Sequence, residues 1–137
     1  MEKNKHPLKI ALMCLVHDNA EVRIGDHHKI SLNYLNTKDA EEKAFYEQVK
    51  PVATHIGTAF WDLYQEFEKR ETKESMIAKD ADYLETAFQA KEYKDIGHKA
   101  CQNWLDNVKS ALVTKSAKKI FACMLKTEFT DWWQDLK

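Results

Sequence analysis

Turn-forming residues are scarce in this chain: three glycines and two prolines punctuate 137 residues. Glycine supplies the positive-φ positions of tight turns, which hairpin-rich sheets need repeatedly, and proline breaks helices. A chain poor in both and rich in Ala, Leu, Lys and Glu favours long helices. The expected fold is all-α. At 137 residues and 44% hydrophobic content the chain can fill one sizeable core and is too short for two ordinary ones, so we expect a single-domain helical bundle of about six or seven helices.

Apolar periodicity places the elements. After a polar leader at Met1 to His6, Pro7 suits the first turn of a helix that runs through the apolar stretch Ile10–Val16 to His17 or beyond. Residues 18–24 continue it or form a short second helix, until Gly25 stops it and Asp26 opens an irregular loop to residue 36. Thr37 caps a helix through Val49, and Pro51 permits a restart carrying Ile56, Phe60, Leu63, Tyr64 and Phe67. From Thr72, the stripe Ile77, Ala81, Leu84 and Phe88 predicts a helix to about Tyr93, with Asp82 beside its buried face. Gly97 interrupts before a helix with Trp104, Leu105 and Val108. Ser116 caps a final one carrying Ile120, Met124, Leu125, Phe129 and Trp132. Trp61, Trp104, Trp132 and Trp133 read as core or interface, Cys14, Cys101 and Cys123 as buried packing residues, and Lys115, Lys118 and Lys119 as a solvated helix face.

Charge and apolar run length narrow the partners. With 21 Lys+Arg against 22 Asp+Glu the formal charge is −1, so no global field draws the protein to a nucleic acid polymer or an anionic membrane. The longest apolar stretch falls far short of the roughly 20 residues needed to cross a bilayer. Cysteines that are odd in number, with no CxxC pair and no secretory leader, predict a reduced, cytoplasmic setting.

That apolar stretch is followed at once by His17-Asp18, so the most hydrophobic segment delivers two polar side chains to the interior. If the helix persists, His17 and Glu21 lie one turn apart, with Asp18 adjacent. Imidazole and carboxylate together suit a borderline divalent ion, and a free carboxylate nearby suits proton transfer from water. By itself the dipeptide reads more simply, as a core histidine satisfied by a backbone carbonyl beside a helix-terminal carboxylate. The wider context overturns that reading.

The string Leu12-Met13-Cys14-Leu15-Val16-His17-Asp18-Asn19-Ala20-Glu21-Val22-Arg23-Ile24-Gly25-Asp26, together with Ile77-Ala78-Lys79-Asp80-Ala81-Asp82-Tyr83-Leu84-Glu85, resembles the HD-domain hydrolases of the bacterial and archaeal 5'-deoxyribonucleotidase type. There an apolar helix ends in HD, E follows three residues after the D, and GD closes the turn. Residues Gln89 to Gly97 and the pair Trp132-Trp133 extend the likeness over nearly the whole chain. The resemblance implies an HD-type helical bundle in which His17, Asp18 and Asp82 are metal ligands. Glu21 would then orient or deprotonate the nucleophilic water, and Asp26 would support the water or the leaving group. One divalent ion (manganese, cobalt, zinc, iron, nickel or magnesium) is implied, as is hydrolysis of 5'-(deoxy)nucleoside monophosphates to nucleoside and phosphate. Lys79, one turn before Asp82, is a candidate for the substrate phosphate, with a solvated surface lysine as the alternative.

The resemblance also implies a fourth ligand, a His on an earlier helix, for which the sixteen residues before His17 hold no counterpart. The expectation is an HD domain over residues 1–137 that lacks the family's N-terminal helical segment. His6 is a poor substitute, about 16 Å from His17 along a helix axis, whereas His27 and His28 beside Asp26 are candidate replacements. His55 and His98 carry no motif support. A helix as apolar as Ile10–Val16 needs cover on every side, so either the chain is a piece of a longer protein or a second copy covers the gap, and the resemblance makes a homodimer the expectation. The competing reading is an HD-fold binding or assembly module that has lost its complete metal site.

Overall fold

The structure, a computed structural model, describes residues 6–134 and residue 136. The polar leader expected at the N-terminus lies outside the described residues apart from His6. Among the described residues the secondary structure is entirely helical: α1 (Pro7–Val16), α2 (Glu21–Ile24), α3 (Thr37–Val49), α4 (Thr54–Lys69), α5 (Lys73–Asp95), α6 (Gln102–Ala111), α7 (Lys115–Met124) and α8 (Asp131–Gln134), with short 3₁₀ turns at Ser31–Asn33 and Lys99–Cys101. Six of these run ten residues or more, and α2 and α8 are single turns. No described helix is long and apolar enough to cross a membrane.

The longest helix, α5, begins where Thr72 and Ser75 close a reciprocal capping box, each side chain accepting from the other's backbone N–H. It then runs 23 residues and packs against α1, α4, α6 and α7. Its buried apolar face is not the stripe expected from the sequence. Ala78, Leu84, Ala87 and Ala90 are buried, whereas Ala81 is exposed and Phe88 is 44% exposed. A helix surrounded by neighbours needs small residues where they approach, so alanine marks the contact and the large phenylalanine is left outside.

Among the described residues three apolar clusters fill the interior, and two of them include side chains of α5. One joins Leu84, Ala87 and Ala90 to Leu105 and Val108 of α6 and Phe121 and Met124 of α7. A second packs Val16 and Ala20 against Phe45 and Tyr64, whose rings stack 4.4 Å apart. A third is the seam of Met13, Phe67 and Ala78, which ties α1 to α4 and α5. The turn from α3 into α4 is tight: a Cβ at Gly57 would stand 2.6 Å from the Val49 carbonyl oxygen, so only glycine permits this approach.

The caps also differ from expectation in places. Asn36, not Thr37, precedes α3, and α7 is capped by Thr114, whose hydroxyl accepts from the Ala117 N–H at 3.2 Å, rather than by Ser116. The final helix ends at Met124, and Trp132 belongs to the separate turn α8. Trp61 is half-buried in the second cluster, but Trp104 is 52% and Trp132 76% exposed, so neither is core in the single chain. Cys14 and Cys101 are half-buried, Cys123 is exposed, and all three are free thiols.

A charged residue secures the turn between α6 and α7. Asp80 is 2% exposed, and its carboxylate accepts the backbone N–H of Thr114 at 2.7 Å and of Val113 at 3.1 Å. These donors at a helix start have no partner within their own helix, and a buried donor without one is costly. Asp80→Ala is expected to destabilise the fold by about 1–3 kcal/mol for each orphaned donor, read as a lower urea midpoint. An unchanged midpoint would refute the clamp.

Candidate metal centre

Local winding sets up the cluster around His17. The α-helical pattern of α1 ends at Val16, and residues 17–23 then wind more tightly: Asn19, Glu21, Val22 and Arg23 each donate their N–H to a carbonyl three residues back. The helix therefore does not persist unbroken from His17 to Glu21, because a turn at residues 17–20 separates α1 from α2. The reason is tertiary. Ala20 must reach the cluster beneath α3 and α4, where it is 2% exposed. Gly25 ends the segment at φ 81°, a conformation that glycine adopts without strain.

His17 itself is held from two sides. Its Nδ1 lies 2.9 Å from the Cys14 carbonyl and donates there, while its ring tilts against Phe67 at 4.6 Å. The other nitrogen, Nε2, is buried and makes no well-directed hydrogen bond, yet it stands 3.1 Å from Asp18 Oδ1 and 3.7 Å from Asp82 Oδ1. With the Nδ1 proton committed to a carbonyl, neutral His17 turns a lone pair toward two carboxylates, which only a proton or a cation can reconcile. A backbone carbonyl on the second ring nitrogen is also how metal-ligating histidines are commonly oriented.

Asp82 comes to this point from the middle of α5 and is shared. One oxygen faces His17, and the other lies 2.8 Å from the Lys79 ammonium. Lys79 in turn sits over the rings of Phe67 at 5.0 Å and Tyr83 at 5.4 Å. Burial alone would raise the Asp82 pKa, but its attraction to His17 and Lys79 prevails and holds it down to about 2. For His17, burial opposes protonation, and Asp82, Asp18 and the Cys14 carbonyl together still raise its pKa.

The remaining acids repel one another. Asp18 is raised by burial and by the charges of Asp82 and Asp26, against the pull of His17 and Lys79; Glu21 is raised by burial, then by Asp18, Asp26 and Glu41. Thus the residues singled out in the sequence do converge. His17, Asp18, Asp82 and Lys79 are in direct contact, with Glu21 and Asp26 coupled to Asp18 through charge. Among the described residues no three His, Cys, Asp or Glu side chains already stand in a cluster ready to hold a metal ion. The donor chemistry nevertheless fits one, because an unpaired imidazole lone pair beside two carboxylates suits a borderline divalent cation.

Sequence reasoning missed the orienting role of Cys14. Cys14 directs its thiol toward the Ala78 carbonyl at 3.8 Å and offers its own carbonyl to His17, so it orients the imidazole and links α1 to α5. Its position three residues before His17 was the available signal. His28 lines a cleft with Asp82, between the loop after Gly25, α5 and α6. A larger cavity of about 540 Å³ between α5 and α7, lined by Phe88, Ile120, Met124 and Trp132, shares no residue with this cluster.

An all-helical bundle in which an imidazole faces one carboxylate from the α1–α2 turn and one from α5 defines a class of His/Asp-centred helical domains. The chain belongs to the HD domain family, whose model matches residues 2–124. Among curated proteins it is similar to the 5'-deoxynucleotidase HDDC2 of Dictyostelium discoideum, 35% identical over 94 residues, covering 66% of this chain and 48% of that protein. It is also similar to the proteins of that name from Xenopus laevis, 32% identical over 85 residues (61% and 42% covered), and Homo sapiens, 28% over 88 residues (64% and 43% covered). The chain thus spans about half the length of the curated relatives it matches. No solved structure matches it significantly.

The two shifts predict a pH signature in chelator-treated protein. The raised His17 pKa contributes stability that is complete below the ordinary histidine value of about 6.5 and is lost as pH rises through the folded value. Asp82, held at about 2, keeps its contribution until pH falls through that value. The thermal midpoint should therefore decline as pH rises above roughly 6.5, and His17→Gln should flatten that slope. Equal slopes in both proteins would contradict the assignment.

Proposed function

We propose that this chain is a metal-dependent phosphohydrolase that cleaves 5'-(deoxy)nucleoside monophosphates to nucleoside and phosphate. One observation carries the reading: the buried, unpaired His17 Nε2 between Asp18 and Asp82. Membership of the HD family and the similarity to relatives named 5'-deoxynucleotidase support it. His17, Asp18 and Asp82 would hold one divalent ion, whose identity among manganese, cobalt, zinc, iron, nickel and magnesium is left open. When bound, such an ion supplies positive charge to the phosphoryl group and makes water more acidic.

The chain's own residues divide the remaining work. Glu21, with its pKa raised by burial and by neighbouring acids, suits the role of accepting the proton of the attacking water nearer neutrality than an ordinary glutamate. Asp26, coupled to both Asp18 and Glu21, orients that water or supports the leaving oxygen. Lys79, steadied over two aromatic rings, offers its ammonium to a phosphate oxygen. The free cysteines accord with a cytoplasmic location, and the balanced charge with a small nucleotide substrate rather than a polymer or a membrane.

A homodimer completes the proposal, built on a single HD domain in residues 1–137. Leu8, Ala11 and Leu15 recur at helical spacing on the face of α1 opposite Met13 and Val16; Leu8 is 72% and Leu15 73% exposed. Burying that face against a second copy is the role we assign it.

Two measurements test these statements. Phosphate release from deoxynucleoside monophosphates with Mn²⁺ or Co²⁺ should fall by at least about 100-fold in Asp82→Ala, beyond what loss of an outer partner causes, with a parallel loss of bound metal. A folded protein with neither metal nor turnover would overturn the hydrolase reading. Leu15→Lys should shift sedimentation from dimer to monomer, and a wild-type chain that is already monomeric would remove the dimer.

A further inference from the structure

Beside the His17 cluster lies a cleft of about 400 Å³, framed by the loop after Gly25, α5 and α6. Its lining includes His28, Lys29, Asp82, Tyr83, Trp104 and Asn107. The volume is within the range of small-molecule sites, about 300–1,000 Å³. Asp82 belongs both to this lining and to the imidazole–carboxylate cluster, so the cleft opens directly onto that cluster.

Trp104 stands out on α6. The buried positions of that helix are Leu105 and Val108, and Trp104 takes no part in the core cluster they join. It is 52% exposed, a large apolar area left at the wall of a cleft. Asn107, three residues on, is its neighbour along the same helix surface. A flat indole face beside a primary amide, which offers both a donor and an acceptor, matches a planar heteroaromatic ring with a hydrogen-bonding edge. Single bases are recognised in this manner, by stacking on an aromatic side chain and pairing at the edge.

The loop supplies complementary groups. The Ile30 N–H donates to His28 Nδ1 at 3.2 Å, so in the neutral ring Nε2 carries the proton and is a donor. Lys29 adds a cation, which suits an anionic ligand. Lys79 and Arg70, the latter 5.1 Å from the centre of the Tyr83 ring, lie over that ring and mark the phosphate end.

We infer that this cleft is the nucleobase subsite of the hydrolase site, with Trp104 as the stacking platform and Asn107 reading the edge of the base. The inference rests on the phosphohydrolase reading for its phosphate end, while stacking on Trp104 is testable without turnover. The nucleotide lies with its phosphate at Asp82 and Lys79 and its base toward α6. A second copy seated over Trp104 is the rival occupant, and it would close the cleft on the Asp82 side.

The first measurement is an NMR titration of the full chain with deoxyadenosine and, separately, with 2-deoxyribose 5-phosphate. The Trp104 indole N–H signal, assigned through Trp104→Phe, should move with the nucleoside and not with the sugar phosphate. The second is the ratio of kcat/KM for dAMP to that for 2-deoxyribose 5-phosphate. Base stacking of ordinary strength predicts that Trp104→Ala lowers this ratio by roughly 5- to 100-fold and that Trp104→Phe restores most of it. An equal loss on both substrates, or dissociation of a dimer with the ratio intact, would overturn the subsite. A nucleoside-induced shift in a protein without turnover would support the base cleft while removing the hydrolase. Turnover with an unmoved Trp104 signal and an unchanged ratio would do the reverse.

Discussion

The enclosure of α5 governs this molecule. One helix packs against α1, α4, α6 and α7, so its surface is divided among neighbours rather than between a core and solvent. Ala78 and Ala87, both at 0% exposure, let flanking helices approach closely, and the interior favours such filling over isolated bulky contacts. The Asp80 carboxylate belongs to the same arrangement: it holds the start of α7 against α5 where apolar packing leaves two N–H groups without partners.

The reactive cluster follows from that packing. Met13, Phe67 and Ala78 form the seam that brings the end of α1 against α5, and His17 and Asp82 are the polar side chains immediately beyond it. Phe67 serves both sides, lying against the imidazole and beneath the Lys79 ammonium. Burial and charge then act in opposition. Burial disfavours the charged forms of His17, Asp18, Glu21 and Asp82, and the pairing of Asp82 with His17 and Lys79 is strong enough to reverse its effect at Asp82. At Asp18 and Glu21 the opposing charges are too weak to offset burial and the neighbouring acids, and both are raised, which leaves acids of different proton affinity within one site.

Much of the fold was legible because local rules and tertiary packing agree along most of the chain. Helices at α3, α4 and α6 stand close to where periodicity and punctuation placed them, since turn residues such as Pro51 and Gly97 act within a few residues of themselves. Departures occur where a distant partner intervenes. The buried stripe of α5 shifted toward alanines because four helices, not one, compete for its surface. The α-helical pattern lapses after Val16, where Ala20 is buried with side chains of α3 and α4. Trp104 was counted among core or interface residues on composition, and it stands half-exposed in a cleft that only the α5–α6 pairing creates.

By itself the sequence determined the helical class, the approximate helix spans and the polar dipeptide His17-Asp18 at the end of an apolar run, because each depends on residues close together along the chain. Only the tertiary structure decided the contact itself, in which Asp82, assigned to the site of His17 by family resemblance and by no local rule, sets one oxygen toward His17 and the other on Lys79. The same holds for the Asp80 clamp on α7 and for the cleft between Asp82 and Trp104. The physical reason is common to all three: helical periodicity assigns a side chain to a face, and the element that covers that face is chosen by packing between segments that no local rule connects.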